Sequence, residues 1–267
     1  ISPCYPYRCE FAGCEGDCNL SCARQLEQAI IEAGPENVAA FIAEPVNSAG
    51  IAVGVPGDNY LKEIREICDK YDVLFIADEV ITGFRVARGG AQEILGITPD
   101  LAVYAKSMAG GFPIAMIVGR REIMDLIGDG TVYHGGSFNS NVMSISATYA
   151  SLKHILDRGD EFYDDLNGKG LRLMEGLQDV AKSLESDLHV QGVGSVFAIS
   201  FTTKQEITNW RDHARNCDDS KYTRFAKEML KQGIRLSSNG RIHLSSAHTD
   251  EDIDKTVAAA AAVLPTL

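Results

Sequence analysis

The sequence predicts an α/β fold, a mostly parallel sheet followed by a smaller α+β domain, and three observations carry that expectation. Unbroken apolar runs such as Val38-Ala39-Ala40-Phe41-Ile42-Ala43 and Val73-Leu74-Phe75-Ile76-Ala77 suit strands buried on both faces, as in parallel sheets. Amphipathic helical segments alternate with these runs. Three of the runs end in an ionisable residue: Glu44, Asp78 and Lys106.

In chain order, a Cys-rich stretch over residues 1–22 leads into Ser21 to Ala33, where Leu26, Ala29, Ile30 and Ala33 recur at helical spacing. Ser21 can cap that helix and Gly34-Pro35 stops it. After the strand from Val38 to Ala43, a second helix is expected from Asn59 to Asp72. Tyr60, Ile64, Ile67 and Tyr71 line one of its faces, leaving Lys62, Glu63, Arg65, Glu66 and Lys70 for solvent. Further strands fall at Val73 to Ala77, Leu101 to Ala105 and Pro113 to Val118.

Beyond them, Ser140 to Leu156 reads as a long helix, and Leu166, Leu173, Leu177, Val180 and Leu184 mark another. Gly192-Val193-Gly194 opens a strand from Ser195 to Phe201, a helix covers about Tyr222 to Lys231, and a short strand surrounds Ile242 to Leu244. Thr249, with Asp252 three residues on, forms a box-like N-cap for the closing helix, with acids well placed in its first turn. Residues 1–154 are expected to form the larger domain and residues 155–267 the smaller, with no low-complexity linker between them.

Lys and Arg total 25 against 37 for Asp and Glu, and the net charge of −12 speaks against sequence-independent nucleic-acid binding, which needs a basic excess. No apolar run approaches the roughly 18 residues of a membrane span. The start lacks the basic and apolar regions of a secretory signal, so a cytoplasmic location is expected. The first residue is Ile rather than Met, which fits a processed or partial chain. Five of the 7 cysteines crowd together as Cys4, Cys9, Cys14, Cys18 and Cys22. The odd number and the enzyme-like body disfavour a disulfide scaffold, and no Cys-x-x-Cys pair signals a metal site. A Cys-rich surface loop in a reducing compartment is the plainer reading; a zinc-binding, non-catalytic chain is the alternative.

Ligands of open α/β sheets bind at the carboxyl ends of the strands, so Glu44, Asp78 and Lys106 should line one crevice. A lysine at the end of a buried strand can become a Schiff-base nucleophile if burial disfavours its ammonium, or can reach out to solvent. Asp78 can act as a helix cap or pair with Arg85. An imine-forming lysine beside a carboxylate is also the pair that pyridoxal phosphate chemistry uses.

Glu44-Pro45-Val46, Asp78-Glu79-Val80-Ile81-Thr82-Gly83-Phe84-Arg85, Thr98-Pro99-Asp100-Leu101 and Lys106-x-x-x-Gly110-Gly111-x-Pro113 stand in the order and spacing of the class III (subgroup II) pyridoxal-phosphate aminotransferases, which the chain resembles. Gly83 to Gln92, Gly192 to Phe197 and Ser245 to Asp252 look most like the glutamate-1-semialdehyde aminomutase branch. The resemblance implies a fold-type-I enzyme, here a C-terminal portion of the family chain, with pyridoxal 5'-phosphate as cofactor and a homodimer sharing its active site. It implies that Lys106 forms the Schiff base and shuttles a proton, that Asp78 keeps the pyridine nitrogen protonated, and that Val80 packs on the ring. It further implies that Glu44 and Phe138 join the cofactor site and that Ser137 reaches the phosphate across the dimer interface. Substrates would be a primary amine or amino acid and a keto or aldehyde acceptor. Glu44-Pro45-Val46-Asn47-Ser48-Ala49-Gly50 lacks the Gly-Asn pair of the aminomutases, and Arg241 stands near where they carry an acidic residue. Arg241 could clamp a carboxylate bidentately or be a plain surface cation. The balance favours aminotransfer between two molecules, with the aminomutase as the alternative. His134 and His248 are expected to pack turns.

Overall fold

A computed structural model of the protein describes residues 1, 20–48, 53–205, 207 and 210–267. Its backbone divides into two units, residues 1–45 with 56–158 and residues 46–55 with 159–267.

The first unit is built on a four-stranded sheet whose order follows the chain: β1 (Ala40–Ala43), β2 (Leu74–Glu79), β3 (Leu101–Tyr104) and β4 (Met116–Gly119). The first three strands are parallel, with Ala43 opposite Ala77 and Ala77 opposite Ala102. The fourth strand reverses: β4 pairs antiparallel with β3, Val103 facing Ile117. Only a short turn and loop separate β3 from β4, too little for the crossover that a parallel neighbour requires. On one face of the sheet, α1 (Ser21–Ala33) and α2 (Tyr60–Tyr71) pack through Leu26, Ile30, Ile64 and Cys68 onto Phe75. Their apolar residues recur at helical spacing, so each helix buries a stripe, while Arg65 of α2, expected at the solvent face, is instead mostly buried and paired with Asp100. The Asn59 to Asp72 pattern thus gives the helix expected of it. Cys22, assigned from sequence to a surface loop, is instead buried in this core, because it falls on the inner face of α1. Cys4, Cys9, Cys14 and Cys18 lie outside the described residues.

Successive residues of β2 alternate between the two faces. Phe75, Ala77 and Glu79 are buried, while Leu74, Ile76 and Asp78 lie half-open. The open face continues into Ile42, 59% exposed, and Ile117, 43% exposed. Three helices complete the unit: α3 (Ala91–Ile94), α4 (Arg121–Gly128) and α5 (Val142–Arg158). The Asn141 side chain caps α5 by accepting from Ser144 N at 3.1 Å, and Ser144 Oγ donates to Pro113 O at 3.0 Å.

The second unit holds an antiparallel sheet, β5 (Leu188–Val193), β6 (Val196–Phe201) and β7 (Arg241–His243). The strand β5 is an addition to the sequence expectation. Leu188 and Val190 point inward while the alternating polar residues His189 and Gln191 do not, and Gly192-Val193-Gly194 closes a hairpin rather than opening a strand. The long helix α6 (Glu161–Ser183) packs on β5 and on the closing helix α9 (Asp250–Val263). Gly170 of α6 admits the hairpin closely: a Cβ there would come within 2.1 Å of Gly194 O. Two helices, α7 (Trp210–Asn216) and α8 (Asp219–Lys231), precede β7. Residues 46–48 and 53–55 go with this unit, the Val53 carbonyl accepting from Gln191 Nε2 at 3.4 Å. The Thr249–Asp252 capping box forms as expected.

Candidate active site

Because β1, β2 and β3 run parallel, their carboxyl ends share one edge of the sheet. Glu44 follows β1, Asp78 lies within β2, and Lys106 sits two residues past the end of β3. Asp78 is opposite Val103, three residues ahead of Lys106.

Lys106 begins a 3₁₀ turn with φ of 46°, a left-handed conformation unfavourable for any residue with a Cβ. Its side chain is exposed, and among the described residues Nζ has neither an ion-pair nor a hydrogen-bond partner. The burial considered from sequence does not occur: β3 stops at Tyr104 and the turn carries the side chain outward. Asp78 is half-buried. Its Oδ1 accepts from Val80 N at 3.0 Å, which closes the turn that follows β2, and among the described residues nothing else bonds to the carboxylate. The pair with Arg85 does not form: Arg85 Nε donates to Ile81 O at 3.1 Å, and burial pushes its guanidinium pKa down. Glu44 and Val80 are half-buried at the same edge.

Glu79 was not singled out from sequence, yet it is fully buried. Its Oε2 accepts from Ala91 N at 3.0 Å and its Oε1 from Gln92 N at 2.7 Å, and the Thr82 hydroxyl donates to it as well. These bonds tie the loop 80–90 to the end of β2. The signal was present in the adjacent acids Asp78-Glu79. In a strand they must face opposite sides, so one of them has to find donors inside. Tyr104 stands beside this cluster, receiving from Gln92 Nε2 at 2.5 Å; burial, then the charges of Glu79 and Glu93, push its phenol up to about 12.

Ser137 and Phe138 lie in an exposed turn ahead of α5, Phe138 being 86% exposed. A groove of about 940 Å³ runs between this turn and the Lys106 turn, lined by Met108, Met116, Met124, Phe138 and Ser144. Arg241 belongs to the other unit. It is half-buried at the start of β7, has no ion-pair partner among the described residues, and lines a pocket of about 260 Å³ with Trp210 and Asn239. His248 closes a turn, Ser245 N lying 3.2 Å from its Nδ1. Among the described residues no three His, Cys, Asp or Glu side chains are arranged to hold a metal ion, and no helix is long and apolar enough to cross a membrane.

Residues 3–264 match the family described as Aminotransferase class-III. The chain is 38% identical over 231 residues to the glutamate-1-semialdehyde 2,1-aminomutase of Acetivibrio thermocellus, covering 85% of this chain and 52% of the relative. It therefore spans about half the length of the curated relatives it matches. Among solved structures, the β-phenylalanine aminotransferase of Variovorax paradoxus superposes with a TM-score of 0.81 at 28% identity, over 91% of this chain and 56% of that one. An ω-transaminase from Sphaerobacter thermophilus gives a TM-score of 0.81 at 26% identity, over 90% of this chain and 54% of that one.

Proposed function

Since the chain belongs to the class-III aminotransferases, we propose that it provides the lysine and carboxylate of a pyridoxal-phosphate-dependent enzyme that moves an amino group between a primary amine or amino acid and a carbonyl acceptor. One observation carries this reading. A lysine amine and a carboxylate oxygen, both without a partner among the described residues, stand at the carboxyl edge of the sheet, Asp78 within β2 and Lys106 just past the adjacent parallel strand β3.

These side chains fit the group. Among the described residues no carboxylate holds Lys106 Nζ, so it would be available to bind the cofactor's aldehyde carbon covalently. Asp78 Oδ1 is taken by Val80 N, leaving Oδ2 to accept from a protonated pyridine nitrogen. When bound, the cofactor supplies an electron sink for the pair released at the substrate α-carbon. Lys106 Nζ would take and return the proton at the substrate α-carbon, and the Asp78 carboxylate would hold a positive charge opposite itself. Val80 and Glu44 complete the cofactor site. Arg241 is the proposed clamp for a substrate carboxylate.

A homodimer is part of the proposal, with Ser137 reaching the phosphate of the second copy and Phe138 joining that cofactor site. Val142, Ile145, Tyr149 and Leu156 form an exposed apolar stripe along α5, which a partner subunit would cover. Thiols at Cys68 and Cys217 suit a reducing, cytoplasmic setting, which is part of the proposal. The names of the Acetivibrio thermocellus and Methanococcoides burtonii relatives favour a second reading, amino transfer within one molecule.

The test is to add pyridoxal phosphate to the purified protein, record its visible absorbance, reduce with borohydride and map the cofactor mass. Attachment to Lys106, lost in Lys106→Ala, is expected; attachment elsewhere or none overturns the reading. Turnover that requires a separate carbonyl acceptor supports the aminotransferase, and turnover of a single amino-aldehyde without one supports the aminomutase.

A further inference from the structure

We propose that Ser107 is a positioning residue, one that fixes Lys106 against the loop following Asp78; the inference rests on the reading of Lys106 and Asp78 given above. The Ser107 hydroxyl donates to Gly83 O at 2.6 Å, a bond that joins the loops leaving two adjacent strands. Its acceptor is held rigidly. Gly83 N donates to Glu79 O at 2.8 Å, and a Cβ on Gly83 would fall 2.1 Å from the Tyr104 ring. The Glu79 side chain in turn grips Ala91 N and Gln92 N, so the loop receiving the Ser107 bond is anchored to the strand that carries Asp78.

On the other side of the stitch stands Lys106, in a conformation the backbone does not favour by itself. Such a residue persists only where its surroundings over-determine it. The next two residues do this: Ser107 through Gly83, and Met108 through complete burial and its N–H bond to Ala105 O at 3.1 Å. Met108 holds the turn to the core. Ser107 is the side chain that relates it to the Asp78 loop. Without that hydroxyl, the lysine and the carboxylate would be located by separate loops, and their spacing would vary as those loops move. A bound molecule that must touch both would then meet a less organised pair.

The experiment compares wild type, Ser107→Ala and Ser107→Thr in the full 267-residue chain. Two quantities are read: the Kd for pyridoxal phosphate by absorbance titration, and amide hydrogen exchange in the cofactor-free protein. Ser107→Ala is expected to raise Kd about fivefold, the size of one lost hydrogen bond. It should also raise exchange in residues 104–110 and, across the stitch, in residues 83–90. Ser107→Thr keeps a hydroxyl and should restore both. Equal affinity in the alanine variant, exchange confined to 104–110, or failure of threonine to rescue each overturns the role of Ser107. A wild type that takes up no cofactor overturns instead the reading of Lys106 and Asp78, and the positioning role falls with it.

Discussion

Asp100 Oδ2 lies 2.7 Å from Arg65 Nη1, joining the residue before β3 to α2. The same oxygen accepts from Phe75 N at 2.6 Å, and Oδ1 lies 3.2 Å from Arg120 Nη1. One carboxylate thus links α2, the start of β2 and the end of β4. Burial alone would raise its pKa. The Phe75 N–H and the Arg65 and Arg120 charges outweigh that and hold the carboxyl below its ordinary range. Asp100→Asn is expected to destabilise the first unit by about 3 kcal/mol, because Arg65 keeps its charge in a mostly buried place. Urea unfolding measures this.

The same site sets an acid dependence. A carboxyl whose folded pKa is depressed contributes stability that is fully present above its unfolded value, near 3.8, and that is lost as pH falls through the lower folded value. Wild type should therefore lose stability below about pH 3.8, with Asp100→Asn showing a flatter slope in that range. Parallel slopes would remove Asp100 from the account.

Glu79 makes a different prediction. Glu79→Ala leaves Ala91 N, Gln92 N and the Thr82 hydroxyl without their acceptor inside the protein, at a cost of about 3 kcal/mol. Glu79→Gln keeps one acceptor oxygen and should lose roughly half as much. Hydrogen exchange in residues 80–92 locates the effect. An unchanged loop would contradict the bonding described.

At Lys106 the backbone works against the side chain. With φ at 46°, glycine fits better than any residue with a Cβ, so Lys106→Gly should be more stable than Lys106→Ala by about 1 kcal/mol. Both variants should fail to attach pyridoxal phosphate. Thermal melts of the pair decide the first point, and borohydride mapping the second.

Thr249→Ala removes the hydroxyl that accepts from Asp252 N at 3.2 Å and breaks the capping box of α9. A loss of about 1 kcal/mol is expected, measurable by denaturant melts.

The sequence by itself determined which stretches form helices and strands where their period is strong. The faces of α1 and α2, the cores of β2 and β3 and the cap of α9 all follow from side-chain spacing, which is a local property. It also placed Glu44, Asp78 and Lys106 at one sheet edge, since parallel strands put their carboxyl ends together. Tertiary structure decided what depends on distant partners. β4 turns antiparallel because its connection is short, β5 gains its place by pairing with β6, and Val53 goes with the second unit through Gln191. Lys106 is exposed rather than buried, and Glu79 rather than Asp78 lies inside, because burial is set by what packs on each face. A pattern along the chain states that one side of a strand is covered. Which residues cover it, and which donors meet a buried acid there, is decided only when separate segments meet.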